Sequence, residues 1–297
     1  MSYLDMKRDH FYRIETSVDG KMFVTARGWE DLSQLLTVYE SIGKKVDREV
    51  VHQYLQHWKI AKDFAVYLEL FEKYKKDYGL EKILEGIYDK SMLEKLKYAA
   101  FDERLSIVGM LMGKLSEMFR KCYMEDCFVT MLFSWMKKYK ESGNLKKVCQ
   151  EAREEYEKLR RAQQLTKGQD HIYREVIDTL ESYQFMAARD HLGKEEEFPA
   201  VREAFTKVTE ERETVFEQTK IALDCAFDFM EDAFGDSQEM VSFVTELNTN
   251  FYSIQYLKEN DCDKYYRYNK RLLFEEQRHS ILEQMDEVEK ELNTALK

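Results

Sequence analysis

The chain has 297 residues, enough for one large domain or two ordinary ones with a sizeable core. With 44% hydrophobic and 35% charged residues, one proline and eleven glycines, the composition excludes a disordered chain and favours long uninterrupted helices. The formal net charge of −11 repels phosphate backbones, and Lys137, Lys138, Lys140, Lys146 and Lys147 are answered by Glu141, Glu151, Glu154 and Glu155, so nucleic acid is not an expected partner.

The opening segment alternates with period two. Phe11, Ile14 and Thr16 sit among polar neighbours, Val18-Asp19-Gly20 turns the chain, and Met22 to Thr25 return. Asp-Gly supplies the positive φ that tight hairpin turns need. Thr25 is then the expected N-cap of a helix, with Glu30 and Asp31 placed to favour its dipole. Trp29, Leu32, Leu35, Leu36 and Tyr39 mark one face of that helix, and Gly43 ends it. Asp47 caps the next helix, whose apolar face runs from Val50 through Trp58 and Phe64 to Tyr78, long enough to kink.

A second block starts near Glu81. Leu93 to Phe119 reads as a long helix with a break near Asp102, and Met124 to Lys140 as another, stopped at Ser142-Gly143-Asn144. Leu145 to Leu165 is strongly charged at i,i+4 spacings, which predicts an exposed helix or one arm of a coiled-coil pair. Gly168 separates it from a helix through Ile172, Val176, Leu180 and Tyr183. Pro199 fits the first turn of a helix that continues to Met230. Gly235-Asp236-Ser237 marks a stop and a new cap. Met240 to Leu296 reads as two or three more helices, the last (Leu273 to Leu296) charged and amphipathic. The fold class is therefore all-α, mainly long helices, with a short N-terminal β-hairpin. The expected division is 1–80 and 81–297, with an exposed helical arm near 145–190.

The usual chemistries leave few candidates. None of the Gly-Lys pairs has the upstream glycine and following Ser/Thr of a phosphate-binding loop, and no apolar run ends in Asp-Glu. The chain alone is not expected to be an enzyme or to hold a cofactor. Two Glu-x-x-His sequences occur, Glu49/His52 and Glu276/His279. In helical bundles two such motifs with two further carboxylates bind a di-iron centre, so these four are the weak metal candidates. Against this, Glu276 and His279 lie in a very polar stretch. The five cysteines form no CxxC pair, as suits reduced thiols in a cytoplasm. The uncharged run from Cys127 to Met136 is far below the roughly 20 residues of a membrane helix, so no membrane partner is expected. That leaves Arg27, which on residues alone reads as a surface arginine near a helix start.

One resemblance bears on it. Phe11 to Tyr78 resembles the lid region of MoxR-type AAA+ ATPases through Phe11-Tyr12-Arg13-Ile14-Glu15-Thr16, Asp19-Gly20 and Phe23-Val24-Thr25-Ala26-Arg27-Gly28-Trp29-Glu30-Asp31-Leu32. Val46-Asp47, Tyr54-Leu55-Gln56 and Ile60-Ala61-Lys62-Asp63-Phe64 extend it. In that family a Ser-Pro-Arg-like segment opens a lid helix and supplies the sensor-2 arginine. The resemblance gives Arg27 that position, facing the ATP γ-phosphate, with Thr25-Ala26 in place of Ser-Pro. It also implies a P-loop core upstream of Met1, which would bind ATP and Mg in a full-length parent. Chaperone-like remodelling, a von Willebrand factor A-type partner and a hexameric ring follow from the same resemblance. The expected function is a non-catalytic lid and helical module in the cytoplasm. The alternatives are a stand-alone helical scaffold or protein-binding module and a di-iron bundle enzyme.

Overall fold

The structure, a computed structural model, describes residues 3–4, 7–17, 20–191 and 193–273. A hairpin of β1 (Arg13–Ser17) and β2 (Gly20–Val24) leads into helices α1 (Ala26–Ser41), α2 (Arg48–Tyr54), α3 (Trp58–Tyr78), α4 (Leu80–Leu84) and α5 (Lys90–Lys97). Then come α6 (Phe101–Ser142), α7 (Leu145–Arg161), α8 (Lys167–Arg189), α9 (Lys194–Phe234), α10 (Gln238–Thr249) and α11 (Phe251–Glu259). Residues 263–273 are helical as well. The fold is thus all-α with one short N-terminal hairpin.

The hairpin is antiparallel, with Arg13 opposite Val24, Ile14 opposite Phe23 and Glu15 opposite Met22. Val18 and Asp19 of the expected turn lie outside the described residues, and Gly20 has a φ of +129° that favours glycine. Thr25 caps α1 as expected, its hydroxyl accepting the Gly28 N–H at 3.2 Å. Asp47 caps α2 in the same way, accepting from Val50 N–H at 2.9 Å.

The apolar run from Val50 to Phe64 predicts one helix, but the helix stops at Tyr54 and restarts at Trp58. Leu55 leaves the helical conformation and His57 is extended, and between them the Gln56 carbonyl accepts the Phe23 N–H at 3.2 Å, laying this stretch along β2. Leu55 is still fully buried. The periodicity therefore survives a break in the backbone, which pattern alone does not reveal.

The chain divides into two compact units, Met1–Lys114 with Cys225–Phe243, and Leu115–Asp224 with Val244–Lys297. These limits fall inside α6, α9 and α10 and differ from a boundary after residue 80. The helices run through the positions where sequence patterning ended them. α6 runs unbroken for 42 residues, through Met124 to Ser142, and the break before it lies at residues 98–100 instead of Asp102.

In the first unit a core of Val24, Trp29, Leu32, Val51, Leu55, Ile60, Ala61 and Phe64 lies under the hairpin, closed by Tyr3. Further along, the Tyr78 hydroxyl donates to Glu103 at 2.6 Å, Tyr88 donates to Asp232 at 2.9 Å, and Phe227 meets Phe243 edge-on at 5.1 Å. Glu239 is buried and ion-paired to Arg104 at 3.1 Å.

In the second unit, α7 and α8 pack on each other. α7 buries Leu145, Val148, Cys149, Ala152 and Tyr156, so the charged stretch from 145 is one member of a helix pair with an apolar seam. Gly168 is not a separator. It lies in the first turn of α8, which is opened by a capping box of Thr166 and Gln169. Pro199 lies five residues after the first residue of α9, one turn deeper than expected. Gly235, with φ +57°, ends α9 and directs its N–H to the Met230 and Glu231 carbonyls. The last expected helix lies largely outside the described residues.

Two stability outcomes follow. A Cβ on Gly28 would sit 2.7 Å from the Tyr54 carbonyl oxygen. Ala in a helix interior ordinarily gains up to about 1 kcal/mol over Gly. Here Gly28→Ala is expected to lose about 1–3 kcal/mol through overpacking, read from urea unfolding midpoints. Thr166→Ala removes half of the capping box and is expected to lose about 1 kcal/mol in the same measurement.

Candidate functional site

The segment around Arg27 is fixed on every side except its own. Val24 before it is fully buried, and Thr25 caps the helix. Gly28 after it abuts the Tyr54 carbonyl. Trp29 is 2% exposed, with its indole N–H donating to the His10 carbonyl at 3.1 Å. Arg27 itself is left outside, its side chain 88% exposed and its guanidinium 3.8 Å from Asp31 one turn on. Such an exposed pair is worth about 0–1 kcal/mol. A cation in the first turn also opposes the helix dipole by about 0.3–1 kcal/mol. Arg27 is thus a solvent-facing charge on a rigid mount, in a position that helix stability does not favour.

Behind this mount lies a polar cluster absent from the sequence reading. Tyr3 packs on Trp29, Phe64 and Tyr67 with ring centroids 5.8, 4.9 and 5.2 Å away. Its hydroxyl is 2.7 Å from His10 Nδ1 and donates to Asp63 Oδ2 at 3.0 Å. Lys7 also ion-pairs with Asp63. Burial, followed by the charge of Asp63, pushes the Tyr3 phenol far above its ordinary value, so it stays a neutral donor. Burial alone would raise the Asp63 carboxyl, but hydrogen bonds from Lys7 and Tyr3 with the charges of Lys7 and His10 hold it below the usual range. The cluster ties the segment before β1 to α3 and backs the wall on which Trp29 rests.

A second polar pair lies under the hairpin. His57 is 1% exposed, and its Nε2 is 3.3 Å from Glu15 Oε2. A hydrogen bond from Arg13 and, more weakly, His57 lower the Glu15 pKa. Neither pair has a sequence signal. Residues 15 and 57 meet because the hairpin folds over the α2–α3 break, and residues 3 and 63 because the segment before β1 lies against α3.

Of the remaining candidates, only one Glu-x-x-His pair lies in the described residues. Glu49 and His52 lie exposed on α2, and Glu276 and His279 fall outside the described residues. Among the described residues no group of three or more His, Cys, Asp or Glu side chains is placed to hold a metal ion. The Cys122, Cys149 and Cys262 thiols are pushed up by burial, that of Cys149 to about 11, which disfavours the nucleophilic thiolate. No described helix is long and apolar enough to cross a membrane.

Against known proteins, no family model, no curated protein and no solved structure matches this chain.

The polar cluster predicts an acid response. A carboxyl whose folded-state pKa lies below its unfolded value of about 4 stabilises the fold above that value, and the contribution is lost as pH falls through the folded-state pKa. Between about pH 4 and pH 2 the unsubstituted chain is expected to lose stability more steeply than Asp63→Asn, in urea titrations followed by circular dichroism. Equal slopes would show that the cluster does not hold Asp63 ionised.

Proposed function

We propose that this chain is the non-catalytic lid and helical module of a MoxR-like AAA+ ATPase. In this reading Arg27 completes a nucleotide site whose phosphate-binding loop lies on a core outside these 297 residues. The observation that carries it is the combination of an exposed guanidinium and an immobilised mount. A free surface arginine needs no such frame. A residue that reports on a γ-phosphate does, because its position must be set by the body that moves with it.

The fit to nucleotide is limited to this one contact. The chain offers a single arginine and no phosphate-cradling loop, so ATP and Mg belong to the core. When bound, the nucleotide supplies the triphosphate charge toward which Arg27 is drawn. The chain's own residues do the rest. Thr25 holds the first turn, Gly28 and Trp29 lock it to α2 and to the His10 carbonyl, and displacement of Arg27 displaces this packed frame with it. A von Willebrand factor A-type partner and a hexameric ring belong to the same proposal.

A second reading, a stand-alone helical binding module, draws support from α7, whose face opposite the buried stripe carries Lys146, Lys147, Glu151, Glu154, Glu157 and Lys158. The two readings part on nucleotide dependence. Joined to a MoxR-type P-loop core, the chain with Arg27→Ala is expected to show ATP turnover lowered at least about tenfold, in the direction of other phosphate-contacting arginines. Its thermal unfolding should be unchanged, because the side chain makes no buried contact. Turnover equal to that of the unsubstituted protein would remove the sensor assignment and leave the binding-module reading.

A further inference from the structure

The hairpin has one open edge. β2 is flanked on both sides, by β1 and by the Gln56 carbonyl, whereas among the described residues no strand pairs with the outer edge of β1. The Phe23 N–H points to Gln56, so Phe23 and its opposite residue Ile14 form a pair that exchanges no hydrogen bonds. The N–H and C=O of Ile14 therefore point away from β2, as do those of Thr16 two residues on. The side chains here are open as well, with Tyr12 62%, Ile14 54% and Phe23 37% exposed. An accessible edge whose backbone groups no strand of the described residues pairs, beside apolar side chains, is a template for another strand.

We propose that β1 pairs antiparallel with β1 of a second copy of this chain, in the register centred on Ile14. Parity and charge select that register. The outward backbone groups belong to the even-numbered residues, so a hydrogen-bonded edge must set even residues opposite even ones. The two neighbouring registers of this parity place Arg13 opposite Arg13 or Glu15 opposite Glu15. The Ile14-centred register places Arg13 opposite Glu15 of the second copy, twice by symmetry, in the closer non-hydrogen-bonded positions. It also sets Ile14 on Ile14 and Thr16 opposite Tyr12. Cross-strand opposite charges stabilise and like charges directly opposite destabilise, so the alternatives are disfavoured by sign alone. Arg13 and Glu15 already share one face of the strand, with Arg13 Nε donating to Glu15 Oε1 at 2.7 Å and side chains 44% and 32% exposed. Two such pairs side by side make a four-member charge network. One short edge buries less than a standard interface, so the dimer is weak and concentration-dependent.

Sedimentation equilibrium on the full chain, from about 5 to about 200 µM, is expected to show the weight-average mass rising toward twice the monomer value. Ile14→Pro removes an N–H that the hairpin does not use and is expected to weaken dimerisation at least about tenfold. Circular dichroism and thermal unfolding report whether this variant and those at Glu15, which lies against the buried His57, keep the fold. Glu15→Arg gives an independent test, since it sets arginine opposite arginine and should weaken the dimer likewise. The double exchange Arg13→Glu with Glu15→Arg restores opposite charges and should restore the dimer, which a local packing defect would not allow. A chain that stays monomeric over the whole range overturns the proposal. So does a dimer indifferent to both Ile14→Pro and Glu15→Arg, or one that the double exchange fails to recover.

Discussion

The N-terminal architecture depends on one backbone hydrogen bond, from the Phe23 N–H to the Gln56 carbonyl. Its own net worth is only about 1 kcal/mol. Its consequence is larger, because it fixes which way each residue of the hairpin faces. With Phe23 bonded outward to Gln56, Met22 and Val24 turn toward the core and Ile14 and Phe23 toward solvent. Glu15 is carried inward onto His57. The same bond lies within residues 55–57, the non-helical stretch that separates α2 from α3. A slip of one residue would bury Ile14 and expose Val24, the apolar residue that leads into the cap of α1.

Two kinds of interaction then share the work beneath the hairpin. Apolar burial of Trp29, Leu32, Leu55 and Phe64 supplies the bulk of the stabilisation. The polar links among Tyr3, His10 and Asp63, and from the Trp29 indole to the His10 carbonyl, select one arrangement of those rings. A core of aromatic rings alone could settle in several ways. Directional bonds to Asp63 and His10 leave one. Arg27 depends on that selection without taking part in it.

Much of this was legible in the sequence where the signal is local. Thr25 and Asp47 announce their caps by residue type and position, Gly43 marks a helix end, and the period change near Trp29 separates hairpin from helix. Arg27 could be singled out, and its exposure agrees with a surface arginine. Signals failed where the deciding contact is distant or the backbone breaks without a breaker. Nothing in Leu55-Gln56-His57 forbids a helix; the interruption lies where β2, more than thirty residues earlier in the chain, bonds to this stretch. The long course of α6 was hidden for the opposite reason, since the exposed Arg120 and Lys121 interrupt the apolar pattern between Phe119 and Met124 while the backbone stays helical. The pairs Glu15–His57 and Tyr3–Asp63 carry no motif because their spacing is set by tertiary folding. Gly28 reads as a helix-weakening residue until the Tyr54 carbonyl opposite it is seen.

That glycine has a consequence for how this stretch can change over generations. At Gly28 almost any replacement meets a carbonyl oxygen, and at Trp29 a smaller ring abandons both a cavity and a bond. Stability therefore restrains these two positions. At Arg27 it restrains almost nothing, since most polar side chains would be accepted there and several would suit the helix start better. Folding alone would let the arginine drift while its neighbours stood still. Any pressure that keeps an arginine at this position must come from a contact outside the fold described here.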